Sequence, residues 1–114
     1  MLANGSWRRV AGEAMMTTFS VTLWTVKPGR EAEFIRSWRD LAEFTALHMV
    51  GRKEPTRLLR DHDQPSRFVT VAPWDSASTL RAWRAGPGFG ERVGRMRELL
   101  EDFSPMTLDD VTEG

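Results

Sequence analysis

The side chains best suited to chemistry in this 114-residue chain are its tryptophans. Trp74 and Trp83 bracket a stretch in which the local pattern changes, and Trp24 and Trp38 come earlier in the chain. Planar indoles can wall an apolar pocket and stack on a planar ligand. Each indole taken singly is more typical of a protein core. As a set, they indicate a site for an aromatic small molecule.

The two histidines are the candidate proton-transfer and metal-binding groups. Because imidazole exchanges protons near neutral pH, His48 is the best general base by side-chain type. The alternative is an exposed histidine at a helix C-terminus, where the helix dipole favours positive charge. His62 lies between Asp61 and Asp63, a set that can ligate a metal but is more typical of a solvated turn. We therefore predict no metal site.

Three arginines, Arg67, Arg81 and Arg84, flank the later pair of tryptophans. A guanidinium can hold a phenolate or a carboxylate through charge-assisted hydrogen bonds. Most arginines in such positions are surface residues. Arg67, at the start of a predicted strand, is a candidate catalytic residue together with Trp74 and His48.

Composition limits the classes of function. Sixteen basic and sixteen acidic residues cancel, which argues against a nucleic-acid or anionic-membrane partner. The absence of cysteine excludes disulfides and thiol catalysis. The first residues lack the apolar core of a secretory signal, so we expect a cytoplasmic protein. Residues 1–15 are predicted to be a flexible arm, and residues 16–114 a single domain.

The first half of the chain reads as a strand followed by a helix. Thr18–Val26 mixes β-branched and aromatic residues and stops at a Lys-Pro-Gly turn. Apolar residues then recur at helical spacing over 30–49, which predicts an amphipathic helix.

The second half reads as a hairpin, a broken helix and a last strand. Residues 55–61 and 67–72 are predicted strands joined by a turn. Asp75 or Ser76 can cap the next helix, which Gly86-Pro87-Gly88 interrupts. An apolar stripe at helical spacing then predicts a resumed helix as far as Phe103, and residues 106–111 a final strand at a sheet edge.

The order βαββαβ predicts an α+β ferredoxin-like fold, with a four-stranded antiparallel sheet and both helices on one face. The first and third strands are apolar on both sides. A second copy of the chain is the simplest cover for the other face of the sheet, so we expect a homodimer.

Three segments, GREAEFIRSW, RLLRDHDQPSRFVTVAPWDS and LRAWR, resemble the antibiotic biosynthesis monooxygenase (ABM) family over roughly residues 17–112. The resemblance implies a dimeric α+β barrel with a pocket between the sheet and the helices of each subunit. Similar proteins include oxygenases that convert aromatic polyketides to quinones without metal or flavin, and haem-degrading proteins.

Positions carried over from the resemblance match only in part. Trp74 corresponds to the tryptophan that ends the third strand in the quinone-forming branch, whereas Thr70 and Leu80 stand where that branch has an asparagine and a tyrosine. The haem-degrading branch has an asparagine, a tryptophan and a histidine where this chain has Thr22, Trp83 and Val93.

The function expected from this resemblance is a cofactor-independent monooxygenase that oxidises an electron-rich aromatic or polyketide-like molecule with O2. Such a reaction needs an apolar cavity, a way to remove a proton and a donor for the resulting oxyanion. The alternatives are a non-catalytic ligand-binding dimer and, third, a haem-binding or haem-degrading protein. The candidate catalytic residues are His48, Trp74 and Arg67, and the candidate substrate-binding residues are Thr22, Trp24, Trp38, Thr70, Leu80, Trp83, Phe89 and Val93.

Overall fold

A computed structural model describes residues 17–48 and 56–112 of the chain. The predicted arm, residues 1–15, lies outside the described residues. The elements follow in the order β1 (Thr18–Val26), α1 (Glu31–His48), β2 (Arg57–Arg60), β3 (Arg67–Trp74), α2 (Ala77–Ala85), α3 (Pro87–Met96) and β4 (Leu100–Asp109). This is the ferredoxin-like α+β fold that the sequence predicts, with its second helical segment broken in two.

The four strands form one antiparallel sheet in the order β2-β3-β1-β4. Thr22 at the centre of β1 lies opposite Thr70 of β3 on one side and Pro105 of β4 on the other. Since side chains alternate between faces, β1 buries Ser20, Thr22 and Trp24 beneath the helices and turns the residues between them outward.

The turn before α1 depends on one glycine. Gly29 has a φ of 88°, a left-handed conformation in which a Cβ would be strained. Its amide donates to the Glu31 carboxylate at 2.9 Å, and the Ser66 hydroxyl donates to the same carboxylate at 2.6 Å. The first turn of α1 is thereby fixed to the β2–β3 connection.

The broken helix begins and bends where the sequence predicts. Ser76 caps α2, because its Oγ accepts a hydrogen bond of 3.1 Å from the Thr79 amide. Pro87 starts α3 at a position where its missing N–H has no helical partner to lose. Gly88 lets this helix approach α1, since a Cβ there would lie 2.4 Å from the Phe44 ring.

The predicted end of this region is wrong. Helix α3 stops at Met96, a 3-10 turn covers Arg97–Leu99, and β4 already begins at Leu100 rather than at residue 106. Phe103 lies directly opposite Trp24 on β1, with ring centroids 5.0 Å apart. Pairing with β1 therefore overrides the helical spacing, and Pro105 lies inside the strand instead of before it.

The core lies between the sheet and the helices. Helix α1 contributes Phe34, Trp38 and Leu41, and the broken helix contributes Leu80, Trp83, Val93 and Met96. The opposite face of the sheet has no helix over it among the described residues, and Leu23, Leu59 and Leu108 remain 41%, 50% and 45% exposed. The sheet is therefore apolar on a face that the described residues do not cover.

Candidate functional site

A cavity lies between the centre of the sheet and the helices. The cavity measures about 570 Å³ when the open solvent at its mouth is included, and the centre of a water molecule can occupy about 70 Å³ of it. Its surface is mostly apolar and aromatic, as in sites for small molecules. The wall includes eight of the residues predicted from the sequence: Thr22, Trp24, Trp38, Thr70, Trp74, Leu80, Trp83 and Phe89.

Strands β1 and β3 form the floor of the cavity. Ser20, Thr22 and Trp24 alternate along β1, and Thr70 and Trp74 do the same along β3. The antiparallel register brings the two sets side by side. Small hydroxyl residues at the centre leave space that the large indoles border.

Three indole N–H groups bind hydroxyls on this floor. Trp24 on β1 and Trp38 on α1 both donate to the Thr70 oxygen, at 2.7 and 2.8 Å. Trp74 donates to Ser20 at 3.2 Å. These bonds hold three of the four tryptophans at the wall, since a buried indole N–H without a partner is costly.

The roof comes from the broken helix. Leu80 and Trp83 face the sheet from α2, and Phe89 follows on α3. The rings of Trp83 and Phe89 meet edge to face with centroids 5.9 Å apart. The Gly86-Pro87 break turns the chain so that both rings border the same space.

Arg84 is the ionisable residue on the wall, and the described part of the wall has no other. Burial lowers the pKa of this half-buried guanidinium, although arginine remains a cation at neutral pH. Its Nη1 donates to the Thr107 hydroxyl at 2.7 Å and its Nη2 to the Met106 carbonyl at 3.5 Å. A guanidinium has five N–H donors, so these two bonds leave three for a ligand oxygen.

Three predicted site residues lie away from the wall. His48 is exposed at the end of α1, where its Nδ1 is 2.9 Å from the Phe44 carbonyl and its ring stacks on the Phe44 ring. Arg67 is exposed and 3.9 Å from the Asp61 carboxylate. Val93 is 3% exposed within the core.

The described residues were compared with the requirements of a metal cluster and of a membrane-spanning helix. Among residues 17–48 and 56–112, no three His, Cys, Asp or Glu side chains are grouped to hold a metal ion. The Asp61 carboxylate instead accepts from the amides of Asp63 and Gln64, which is a turn of the solvated kind. Within the same ranges, no helix has the length and apolar character to span a membrane.

Several wall residues were not in the predicted set. Arg84 was considered with two other arginines, and only the structure shows that it reaches the cavity. Phe103 and Pro105 were missed because their segment was not predicted to be a strand. The alternation of side chains along β1 could have identified Ser20, because it lies on the same face of the strand as Thr22 and Trp24. The wall further includes Leu41, Ala42, Thr45, Thr56 and Ala72.

Together these features define a ferredoxin-like domain with an aromatic-walled cavity between its sheet and its helices. The family model for antibiotic biosynthesis monooxygenases matches residues 18–95. The chain belongs to this family, as its resemblance indicated.

Solved structures agree with this assignment. A variant of SnoaB, a cofactor-independent oxygenase from Streptomyces nogalater, is similar with a TM-score of 0.75 and 26% identity, over 83% of this chain and 93% of that one. A second SnoaB structure has a TM-score of 0.73 and 27% identity, over 82% of this chain and 91% of that one. A conserved protein from Methanosarcina mazei Go1 shares the fold. Its TM-score is 0.72 and its identity 19%, over 88% of this chain and 96% of that one. No curated protein matches the chain.

Proposed function

We propose that the protein is a monooxygenase that uses O2, without metal or flavin, to oxidise an electron-rich aromatic or polyketide-like molecule. The observation that supports this most is the cavity itself, which is walled by indoles and whose described part has one cationic side chain, Arg84. A planar substrate can stack on such walls while its oxygen meets the guanidinium. The similarity to SnoaB, a cofactor-independent oxygenase, supports the same reaction class.

In the proposed reaction, the substrate supplies the electrons. The methylene of an anthrone-type ring, which is conjugated through both aromatic rings to a ketone, loses a proton to solvent water at the cavity mouth, and the resulting enolate transfers electrons to O2. One oxygen atom becomes the new carbonyl, and the other leaves as water with both methylene hydrogens. Arg84 stabilises the enolate oxygen, because a fixed cation in a water-poor site favours the charge that develops there. Trp74 and Trp83 hold the rings.

Turnover of a model anthrone tests this function. The purified protein, treated with a chelator, is expected to form anthraquinone with one O2 consumed per anthrone. Arg84→Gln should lower kcat/KM by about tenfold or more, since removal of one donor to an oxyanion commonly costs about 10²–10³. Arg36→Gln, an exposed arginine on α1 away from the cavity, is the matched control. Equal rates for both variants would count against the role of Arg84.

A ligand-binding protein without turnover is the second candidate. One observation favours it: the described wall has no carboxylate and no histidine, so no side chain there is a general base at neutral pH. His48 and Arg67, the predicted catalytic residues besides Trp74, lie off the wall. Tight binding of anthrone with no anthraquinone formed would favour this candidate over the enzyme.

The proposal includes a homodimer formed through the open face of the sheet. Phe19, Val21 and Leu23 on β1 and Leu108 on β4 make that face apolar, and none of them is fully buried. A second copy can cover this face under two-fold symmetry, because the same patch then meets itself. Sedimentation in dilute solution should give twice the mass of the chain.

A further inference from the structure

The hydroxyl of Thr70 has an unusual set of hydrogen bonds. Thr70 lies at the centre of β3, is 7% exposed and lines the cavity. Its Oγ1 is 2.7 Å from Nε1 of Trp24 and 2.8 Å from Nε1 of Trp38. An indole N–H only donates, so the threonine oxygen is the acceptor in both bonds.

These two bonds determine what the hydroxyl can still do. A hydroxyl oxygen has two lone pairs and one proton, and the two indoles occupy both lone pairs. No third hydrogen bond to the Thr70 hydroxyl is present within residues 17–48 and 56–112. The Thr70 hydroxyl can therefore make one further hydrogen bond, as a donor through its proton. A ligand in the cavity can supply the acceptor.

Two other hydroxyls on the wall, those of Ser20 and Thr45, differ from Thr70. Ser20 accepts one hydrogen bond, from Trp74, and keeps a lone pair with which it can accept a second. Thr45 donates its proton to the Leu41 carbonyl at 2.7 Å and so presents lone pairs. Thr70 alone of these three is held in the donor role.

We propose that Trp24, Thr70 and Trp38 form a directional hydrogen-bond donor that selects ligands with an acceptor oxygen, such as a ketone or enolate, at this point of the ring system. The inference rests on the proposed function only in that the cavity binds a planar ligand. The two indole bonds polarise the O–H and strengthen it as a donor. Trp24 and Trp38 are positioning residues, which act on the ligand through Thr70.

Three ligands of one shape test this selection. Anthrone has a ketone at the ring position where 9,10-dihydroanthracene has a methylene and 9,10-dihydroacridine has an N–H. We expect calorimetric titration to show anthrone bound at least about tenfold more tightly than either analogue, since the hydrogen bond from Thr70 alone accounts for about 1.4 kcal/mol and any bond from Arg84 to the same oxygen adds to it. Equal binding of anthrone and dihydroanthracene by the wild-type protein would overturn the proposal.

Variants separate hydrogen bonding from a structural role. Thr70→Val keeps the shape of the side chain and removes the hydroxyl proton. It should weaken the binding of anthrone about tenfold and leave the binding of dihydroanthracene unchanged. Thr70→Ser should restore the preference for anthrone. If Thr70→Val instead weakens both ligands equally, the residue only supports the wall and the proposal fails.

Trp38→Phe tests the positioning role. Loss of one indole donor frees a lone pair on Thr70, so the hydroxyl can also accept. The affinity for dihydroacridine should then rise about fivefold or more relative to the affinity for anthrone. An unchanged ratio would contradict the proposed role of Trp38. Selection for the ketone without oxidation would contradict the proposed function alone, whereas oxidation without selection would contradict this inference alone.

Discussion

At the scale of single residues, Glu31 links the start of α1 to the sheet. The hydrogen bond from the Ser66 hydroxyl, followed by that from the Glu31 amide, lowers the pKa of this carboxyl below its ordinary 4.5. Because the folded pKa is depressed, the stabilisation by Glu31 is complete above about pH 4.5 and is lost as the pH falls through the folded value. The carboxylate thus contributes at neutral pH and not in acid.

Glu31→Gln should therefore lower the melting temperature at pH 7 and have a shrinking effect as the pH falls below 4.5. Thermal unfolding followed by circular dichroism from pH 7 to pH 3 measures this. Glu43→Gln, an exposed position on the same helix, is the control. A deficit of Glu31→Gln that is constant over the whole pH range would show that the charge is not responsible.

The residue scale also shows what the sequence could reveal of the site. Four indoles indicated an aromatic cavity, and all four lie on its wall. The pattern could not show that Thr70 accepts from Trp24 and Trp38, because the three residues are brought together only by the packing of α1 on the sheet. Nor could it separate Arg84 from the other arginines, because Arg84 is held by Thr107 and Met106 of β4, a strand that the sequence placed too late in the chain.

At the scale of elements, α2 depends on its cap. Ser76→Ala removes the acceptor for the Thr79 amide and should cost about 1 kcal/mol, within a range of about 0.5–2. Ser78→Ala, exposed in the first turn of the same helix, should change stability by less than about 0.5 kcal/mol. Urea unfolding of both variants gives the comparison, and equal losses would argue against the cap.

Most elements could be predicted because local signals agreed with tertiary packing. The strand β1, the helix α1 and the hairpin had clear periods and turns, and the structure places them within two or three residues of the predicted bounds. The failure at β4 has a physical cause. In the sequence, Phe103 continues an apolar stripe at helical spacing. In the structure it lies on a strand opposite Trp24 and packs against that indole. Local spacing contains no information about such a distant partner.

At the scale of the whole molecule, the proposed dimer makes a clear prediction for Leu23. This residue is 41% exposed on the open face of β1. Leu23→Asp would bury an unpaired charge between two sheets, so the dissociation constant should rise about 100-fold or more. Analytical ultracentrifugation across a dilution series measures it.

Leu47→Asp provides the control for that experiment. Leu47 is 75% exposed near the end of α1 and is not on the sheet. It should leave the association unchanged. If Leu23→Asp sediments exactly as the wild type does, then the open face of β1 is not where two copies meet.

The place of Pro105 within β4 affects how chains can meet in a concentrated cell. The Asp110 amide donates to the Thr17 carbonyl, and the bonding pattern alternates along the ladder, so the Pro105 nitrogen points away from β1. At the outer border of the sheet, this nitrogen lacks the hydrogen that an added strand would need. Growth of the sheet into a fibril through this border is thereby opposed, whereas the proposed pairing of two copies uses the apolar face of the sheet and not its border.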